Sequence, residues 1–285
     1  DANTAANAPI SDIDPDGIQS GYWNIQTRNP SGGGSDLIKS LPSITADDKP
    51  AVRVRVRKDT GMNNGPISML TRLMMGAGSD VPMQAVAVAV ISSPGSVFPG
   101  GLLPQVINKC MFDKYWDSTT NSPRIYTGTP ADPYGISTIG EPWTLRIGSS
   151  YHYDGCDSGQ WTTFDQDLNS ASGVRDLINN GNPNPLNIGD LTWINPGTQT
   201  SNYNDLNNKY PDLPVDVTVL VVDDADLPDS GNSQLPIIGF AGFRITDIQG
   251  GSAKYIQGQF ISSNFTPGSG VGPSFGTYTP PRLAF

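Results

Sequence analysis

Residues 151–161 read Tyr-His-Tyr-Asp-Gly-Cys-Asp-Ser-Gly-Gln-Trp, and residues 184–198 read Asn-Pro-Leu-Asn-Ile-Gly-Asp-Leu-Thr-Trp-Ile-Asn-Pro-Gly-Thr. With the short helical segment between them, they hold the only histidine, one of the two cysteines and two of the five tryptophans. In both pieces, turn-forming Gly, Asn, Asp and Pro separate short apolar runs, which is typical of strands joined by tight turns. The stretch therefore favours a mainly β fold.

The rest of the chain extends this pattern. Its 285 residues include 32 Gly and 25 Pro, which is normal for a loop-rich β protein, and only 15% are charged. The spacing predicts strands at 22–26, 51–57, 81–91, 106–110, 143–148, 151–153, 188–194, 216–222, 235–248 and 255–261, with 235–248 broken into two at Gly239 and Gly242. Helices are predicted at 66–75 and at 173–180, the second with Ser172 as its N-cap and Gly181 as its stop. We expect a β-sandwich or barrel-like core with two or three short helices.

Composition divides the chain into three parts. Residues 1–50 are predicted to be an N-terminal arm with the first strand, 51–263 a β-rich globular domain, and 264–285 a Gly/Ser/Pro-rich C-terminal tail. The longest apolar run, 81–91, is too short to span a bilayer. Because the chain opens at Asp1 without Met, we expect a mature product or an excised fragment.

The net charge is −10, and Glu141 is the only glutamate. An acidic surface argues against nucleic acid and anionic membranes as partners, because both require patches of Lys and Arg. The one basic run, Arg-Val-Arg-Val-Arg-Lys at 53–58, alternates, so a strand there would carry its arginines on one face and its valines on the other. We expect the arginine face to be solvated.

Cys110 and Cys156 could pair as one disulfide, which the secreted character of the composition favours. A nucleophile pair of Cys156 with His152 is an alternative, since i and i+4 share a face of a strand, but no orienting motif accompanies it. Two cysteines and one histidine are too few for a zinc site.

Asp12, Asp14 and Asp16 alternate before Gly17, like the front half of a calcium loop. The twelfth position of such a loop would be Trp23 and not Glu, so the bidentate ligand is missing. The three aspartates form either a Ca²⁺ site completed from elsewhere or a plain Asp/Gly turn. A second acidic stretch, 223–229, offers a weaker calcium candidate.

Catalytic motifs are weak. Asp-Thr-Gly at 59–61 and Asp-Ser-Gly at 157–159 and 229–231 resemble the paired loops of aspartic proteases, but the apolar strand before and the Ser or Thr after are missing. General acid–base catalysis would rest on Asp alone, since the chain has one histidine. We therefore expect no enzyme, with an Asp-based hydrolase as the weakest of the hypotheses.

Ordered stretches carry a resemblance to one family. In chain order they are a strand and Asn63-Asn-Gly-Pro66, then Val81-x-Met-Gln-Ala-Val-Ala-Val-Ala-Val90, Pro94-Gly-Ser-Val-Phe-Pro-Gly-Gly, Cys110-Met-Phe-Asp-Lys-Tyr-Trp-Asp, Tyr151-His-Tyr-x-x-Cys-x-x-Gly-Gln-Trp-Thr-x-Phe, Val174-Arg-Asp-Leu-Ile-x-Asn-Gly-Asn-Pro, Gly251-Ser-Ala-Lys-Tyr-Ile-x-Gly-x-Phe and Tyr278-Thr-Pro-Pro-Arg-Leu. This order resembles the exported part of TadE/TadG-like proteins of the tight-adherence (Flp) pilus system, and it covers most of the chain.

The resemblance implies a structural part in building or anchoring a thin pilus, minor-pilin-like and with self-assembly included, and no catalytic residue. It implies other pilus or envelope proteins as partners, a bacterial envelope location, periplasmic or extracellular, and an N-terminal membrane helix that this sequence does not contain. The matched cysteines support pairing Cys110 with Cys156. The metal motif of the von Willebrand A domain that some TadG-like proteins carry is missing, so no metal site is transferred. The alternative function is a secreted, Ca²⁺-stabilised adhesin or carbohydrate-binding module.

Overall fold

The computed structural model of the chain describes residues 17–39, 41, 45, 47–68, 76, 80–168, 170–195, 200–223, 227–228 and 233–284. The helices are α1 (Lys109–Tyr115), α2 (Ala171–Asn180) and α3 (Thr200–Lys209). The strands are β1 (Ile18–Asn24), β2 (Asn29–Pro30), β3 (Asp48–Lys58), β4 (Ile67–Ser68), β5 (Asp80–Val81), β6 (Met83–Val90), β7 (Ser96–Val97), β8 (Gln105–Asn108), β9 (Trp116–Asp117), β10 (Ser122–Pro123), β11 (Leu145–Ile147), β12 (Gly159–Phe164), β13 (Leu186–Asn187), β14 (Leu191–Asn195), β15 (Val215–Val222), β16 (Ser233–Gln249), β17 (Tyr255–Phe260), β18 (Asn264–Phe265), β19 (Gly268–Ser269), β20 (Thr277–Tyr278) and β21 (Arg282–Leu283).

The chain divides into two compact units. Unit 1 contains the described residues up to 91 together with 281–284, and unit 2 contains Ser92–Pro280. The division by composition, at residues 50 and 263, stays a prediction. The predicted C-terminal tail contributes β18, β19 and β20 to unit 2 and β21 to unit 1.

Unit 1 is built on one sheet with the strand order β2-β1-β3-β6-β21. Each neighbouring pair in it is antiparallel. One face of the sheet carries a small buried cluster of Trp23, Leu37, Ala51 and Val88. Gly21 lies on this face because a Cβ there would come within 2.4 Å of the Ile38 carbonyl oxygen. The crossing segment that contains Leu37 and Ile38 therefore covers this face.

The alternating run in β3 is oriented opposite to the expectation that its arginines are solvated. Arg53 lies on the same face as Ala51 and Val88, and its guanidinium donates to the Asp36 carboxylate at 2.7 Å. The valine face is open instead: Val52 is 43% exposed. The alternation itself is present, but a period of two does not say which face the rest of the chain will cover.

Unit 2 contains a ring of five strands. β8 pairs with β12, β12 with β14, β14 with β16, and β16 with β15, all antiparallel, and β15 returns to β8 in parallel. β17 and β11 extend the sheet from the far half of β16. This cycle of pairings is the barrel-like core, so the prediction of a mainly β fold with three short helices among the described residues is confirmed.

Both faces of the ring are buried. One hydrophobic cluster draws side chains from all five strands and therefore fills the interior; it includes Val106, Phe164, Ile194, Leu220, Val222, Ile237 and Phe240. A second, larger and more aromatic cluster lies on the other face, where neighbours such as Ile107 and Val221 point. Adjacent residues alternate between the clusters because successive side chains of a strand point to opposite faces.

Several predicted elements differ from those observed. β16 is one continuous strand, and the two glycines predicted as breaks are close approaches: a Cβ at Gly239 would come within 2.3 Å of the Phe275 ring. Residues 151–153 form a single bridge, His152 to Asp157, and not a strand. The predicted strand at 81–91 is β5 and β6, and most of β6 is exposed. Cys110 lies in α1 and not in a strand.

The predicted helices had different outcomes. The prediction starts α2 at Gly173, but it begins at Ala171, and Ser170 is the N-cap whose side chain accepts from the Gly173 amide. Gly181 ends α2 as predicted. Of the predicted helix at 66–75, residues 67 and 68 form β4, and 69–75 lie outside the described residues. A search of the described helices finds none long and apolar enough to cross a membrane.

Candidate functional site

The disulfide predicted between Cys110 and Cys156 is present. Cys110 is on the first turn of α1, and Cys156 lies in the turn before β12, with their Cα atoms 6.2 Å apart. Cys156 is buried in the aromatic cluster of unit 2. Both sulfurs are consumed in this bond, so the alternative of a Cys156–His152 nucleophile pair is wrong.

Aromatic rings from four segments of the same hydrophobic cluster pack against one another. Tyr115 at the end of α1 lies with its ring centroid 5.0 Å from that of Trp143 and 5.6 Å from that of Tyr153. Tyr134 extends the cluster, with its centroid 5.1 Å from those of both Tyr151 and Tyr153. Most of these contacts are tilted or edge-to-face, which is the geometry that aromatic quadrupoles favour. The aromatic residues of the opening stretch, 151–153, thus form part of a ring-lined wall.

A cleft of about 750 Å³ opens beside this wall; we call it the aromatic cleft. Its lining includes the buried rings of Tyr115, Trp143 and Tyr153 and the half-exposed side chain of Ile125. The prolines that also line it are Pro123, Pro130 and Pro133. Concave surfaces with apolar walls and a few polar groups are where proteins bind small ligands or peptide segments.

Two cations stand at the cleft, and both are engaged with the protein. The Lys114 ammonium donates to the carbonyl oxygens of Tyr153 and Asp154, each at 2.7 Å. The Arg124 Nε donates to the carbonyl oxygen of Trp116 at 2.9 Å. These bonds hold the turn at 153–154 and the strand pair β9–β10 in place, so both cations position the walls of the cleft.

The phenols of the cleft are neutral donors and acceptors. Burial raises the pKa of Tyr115 to about 12, and the nearby carboxylates of Asp132 and Asp154 contribute to this rise. Burial also raises the pKa of Tyr153 strongly, and its hydroxyl accepts from the Arg146 amide at 2.6 Å. Both phenols are therefore protonated at physiological pH.

The single histidine pairs with a carboxylate at the edge of this region. His152 Nδ1 lies 2.5 Å from Asp157 Oδ1, and the other oxygen of Asp157 accepts from the Leu227 amide at 2.9 Å. Asp157 belongs to one of the Asp-Ser-Gly strings, and these contacts use both of its oxygens in holding turns. Asp59 of the Asp-Thr-Gly string lies in unit 1, where it accepts from the Thr60 amide at 2.7 Å.

Most of the aspartates predicted to bind a metal lie outside the part of the chain that the structure describes. Asp12, Asp14 and Asp16 lie outside the described residues, as do Asp224, Asp226 and Asp229 of the second acidic stretch, so the calcium expectation stays a prediction. Where the structure describes the chain, no three His, Cys, Asp or Glu side chains come together as a metal site would require.

The aromatic cleft is not evident from the sequence pattern. Residues 118–133 are polar and predict a loop, yet they supply one wall of the cleft, and 98–117 predict a short strand followed by an aromatic turn. The signal that could have found the cleft is the recurrence of prolines at 123, 130 and 133 between Tyr115 and Trp143, two of the aromatic residues that also line it. No protein-family model, curated protein or solved structure matches this chain.

Proposed function

We propose that the chain is a structural component of a bacterial tight-adherence (Flp-type) pilus assembly, minor-pilin-like or anchoring. The ordered resemblance motivates this proposal. The observation that carries it is that two of the resembling stretches, 110–117 and 151–164, meet in unit 2, where the Cys110–Cys156 disulfide joins α1 to the turn before β12. These two stretches therefore belong to the core of one unit.

The disulfide also supports an exported location. Disulfides form and persist in oxidising compartments such as the periplasm and the cell exterior. A disulfide that joins distant parts of the chain stabilises a protein that must remain folded outside the cell. Lys114 and Arg124 of the aromatic cleft bind backbone carbonyl oxygens and so position its walls.

The direct test uses the native source. Cells carrying a tagged chromosomal copy are sheared, and the filament fraction is examined by mass spectrometry and immunogold electron microscopy. We expect the chain to travel with the filaments, and a strain lacking it to have fewer or unanchored pili. A chain found only as free protein in the medium, together with normal pili in the deletion strain, would reject the proposal.

The aromatic cleft favours a second candidate, an adhesin or carbohydrate-binding module. Stacking on aromatic side chains and hydrogen bonding to neutral phenols suit sugar rings. A panel of oligosaccharides should then raise the melting temperature, since binding to the native state stabilises it. An Ile125→Arg variant, which blocks the cleft at an exposed position, should abolish that shift. The same assay with and without Ca²⁺ tests the calcium hypothesis for Asp12, Asp14 and Asp16.

A further inference from the structure

The outer edge of β6 in unit 1 is open along residues 83–87. All five residues are exposed, including Met83 at 51% and Val86 at 38%. β3 occupies one side of β6 throughout, whereas β21 occupies the other side only at Ala89 and Val90. None of the residues that the structure describes pairs with 83–87 on that second side.

The ladder shows which backbone groups this edge presents. The Ala284 amide donates to the Val88 carbonyl oxygen at 2.8 Å, so Val88 points its peptide groups away from β3. Along a strand, alternate residues direct these groups to the same side. Gln84 and Val86 therefore present their N–H and C=O groups outward, where a further antiparallel strand could pair with them.

The edge also lacks the features by which exposed edges avoid pairing. Proteins protect such edges with charges, inward-pointing lysines, prolines or bulges. Residues 83–87 are Met-Gln-Ala-Val-Ala, without a charge or a proline, in a chain of net charge −10. β21 already adds to the same edge in antiparallel orientation at its C-terminal end, so the edge accepts strands.

We propose that β6 pairs edge to edge with β6 of a second copy of this chain, antiparallel and centred on Ala85. This register places Gln84 opposite the partner's Val86, so that the outward peptide groups of both strands bond to each other. A second copy fits because the outward peptide groups of Gln84 and Val86 are exchanged by the two-fold axis, so each strand offers the other the donors and acceptors that it needs, and neither strand brings a charge of its own into the pair. Small Ala85 side chains meet at the two-fold axis, and Pro82 ends the paired segment before it would reach β21.

The pairing would also extend an apolar surface. Val54 and Val56 of β3 lie opposite Ala87 and Ala85 on the open face of the sheet. Joining two sheets doubles the strand number and makes this face continuous across the dimer. The inference goes beyond the pilus proposal and does not rest on it, because the full chain would dimerise in solution with or without a filament.

The test uses charge complementarity at the edge. Sedimentation equilibrium of the full chain over a wide concentration range should show a monomer–dimer equilibrium. An Ala85→Lys variant places lysine opposite lysine at the two-fold axis, with the uncharged Val56 as its neighbour in β3, and should weaken dimerisation by about tenfold or more, since like charges opposite each other destabilise a strand pair. An Ala85→Glu variant should behave the same way alone. Mixing the two variants should restore a dimer of one copy of each.

Two controls separate pairing at this edge from nonspecific association. Ile139→Lys adds a charge at a more exposed apolar residue in unit 2 and should leave dimerisation unchanged. Hydrogen exchange should show the Gln84 and Val86 amides becoming protected as concentration rises. A wild-type monomer, or a dimer whose affinity is unchanged by Ala85→Lys, would overturn the proposal. So would a monomer with these amides already protected, which would mean that another part of the chain covers the edge.

Discussion

At the scale of single residues, Asp48 is a densely bonded carboxylate of unit 1. It accepts from the Ser31 hydroxyl at 2.6 Å, from the Thr45 amide and hydroxyl at 2.9 and 2.7 Å, and from the Asn24 amide group at 3.0 Å. Burial alone would raise the pKa of Asp48, but these hydrogen bonds outweigh burial and hold the pKa well below its usual value. The side chain thereby ties the loop before β3 to the end of β1.

The lowered pKa gives a pH dependence with a definite sign. The ionised Asp48 stabilises the fold at pH values above the pKa of this side chain in the unfolded chain, which is about 3.9. This contribution is lost as the pH falls through the lower pKa that Asp48 has in the folded protein. Asp48→Asn should therefore cost about 1–2 kcal/mol at neutral pH through weaker hydrogen bonds, and the difference from wild type should shrink below about pH 4. Urea unfolding across this pH range, with β1 and β3 amides as probes, measures both.

Asp47→Asn provides the matched control, because it removes the same formal charge one residue away. It should change the free energy of unfolding at neutral pH by far less. An equal loss in the two variants, or a difference for Asp48→Asn that does not vary with pH, would contradict the assigned role of the hydrogen bonds.

At the scale of elements, α2 shows how a helix start is chosen between two similar residues. Sequence patterning favours Ser172 as the N-cap, but Ser170 has the extended backbone of a cap and accepts from the Gly173 amide at 3.2 Å. α2 then packs beside α3, and Arg175 on α2 donates to the Asp205 carboxylate on α3 at 2.7 Å. Two serines two residues apart are equally good caps in isolation, so packing of Val174 and Ile178 into the core decides the start.

The two serines give a paired test of this helix start. Ser170→Ala should destabilise unit 2 by about 1 kcal/mol, the usual cost of losing an N-cap. Ser172→Ala lies inside the helix and should be neutral or slightly stabilising, because alanine is the better helix former. Thermal unfolding of the two variants side by side decides between them. If Ser172→Ala were the more destabilising of the two variants, Ser172 would be the N-cap of α2, as the sequence pattern predicts.

At the scale of the whole molecule, the Cys110–Cys156 disulfide is the one covalent link between distant parts of unit 2, since the chain has no other cysteine. It spans 46 residues and joins α1, which follows β8, to the turn that precedes β12. β8 and β12 are neighbours in the ring of five strands, so the chain segment between them is closed into a loop twice, once by strand pairing and once by the disulfide. Its stabilisation comes chiefly from restricting the unfolded chain.

Removing this link should weaken the whole of unit 2. For a loop of this length the chain-entropy model gives about 4 kcal/mol, so the C110A/C156A variant should unfold at a clearly lower urea concentration than the oxidised wild type. Reductant should lower wild-type stability and leave the double variant unchanged. Two free thiols in the denatured, non-reduced wild type, measured by mass, would contradict the disulfide itself.

The sequence by itself determined the mainly β class, most strand positions, the end of α2 and the choice of cysteines that pair, because alternation, turn residues and a cysteine count of two are local signals. Only the tertiary structure decided the ring of five strands, the aromatic cleft and the open face and edge of unit 1. Gly239 illustrates the reason: in sequence a glycine marks a break, whereas in the fold it makes room for Phe275, far along the chain. Which face is covered, and what approaches a strand, depends on contacts between residues far apart in sequence, and no local pattern records them.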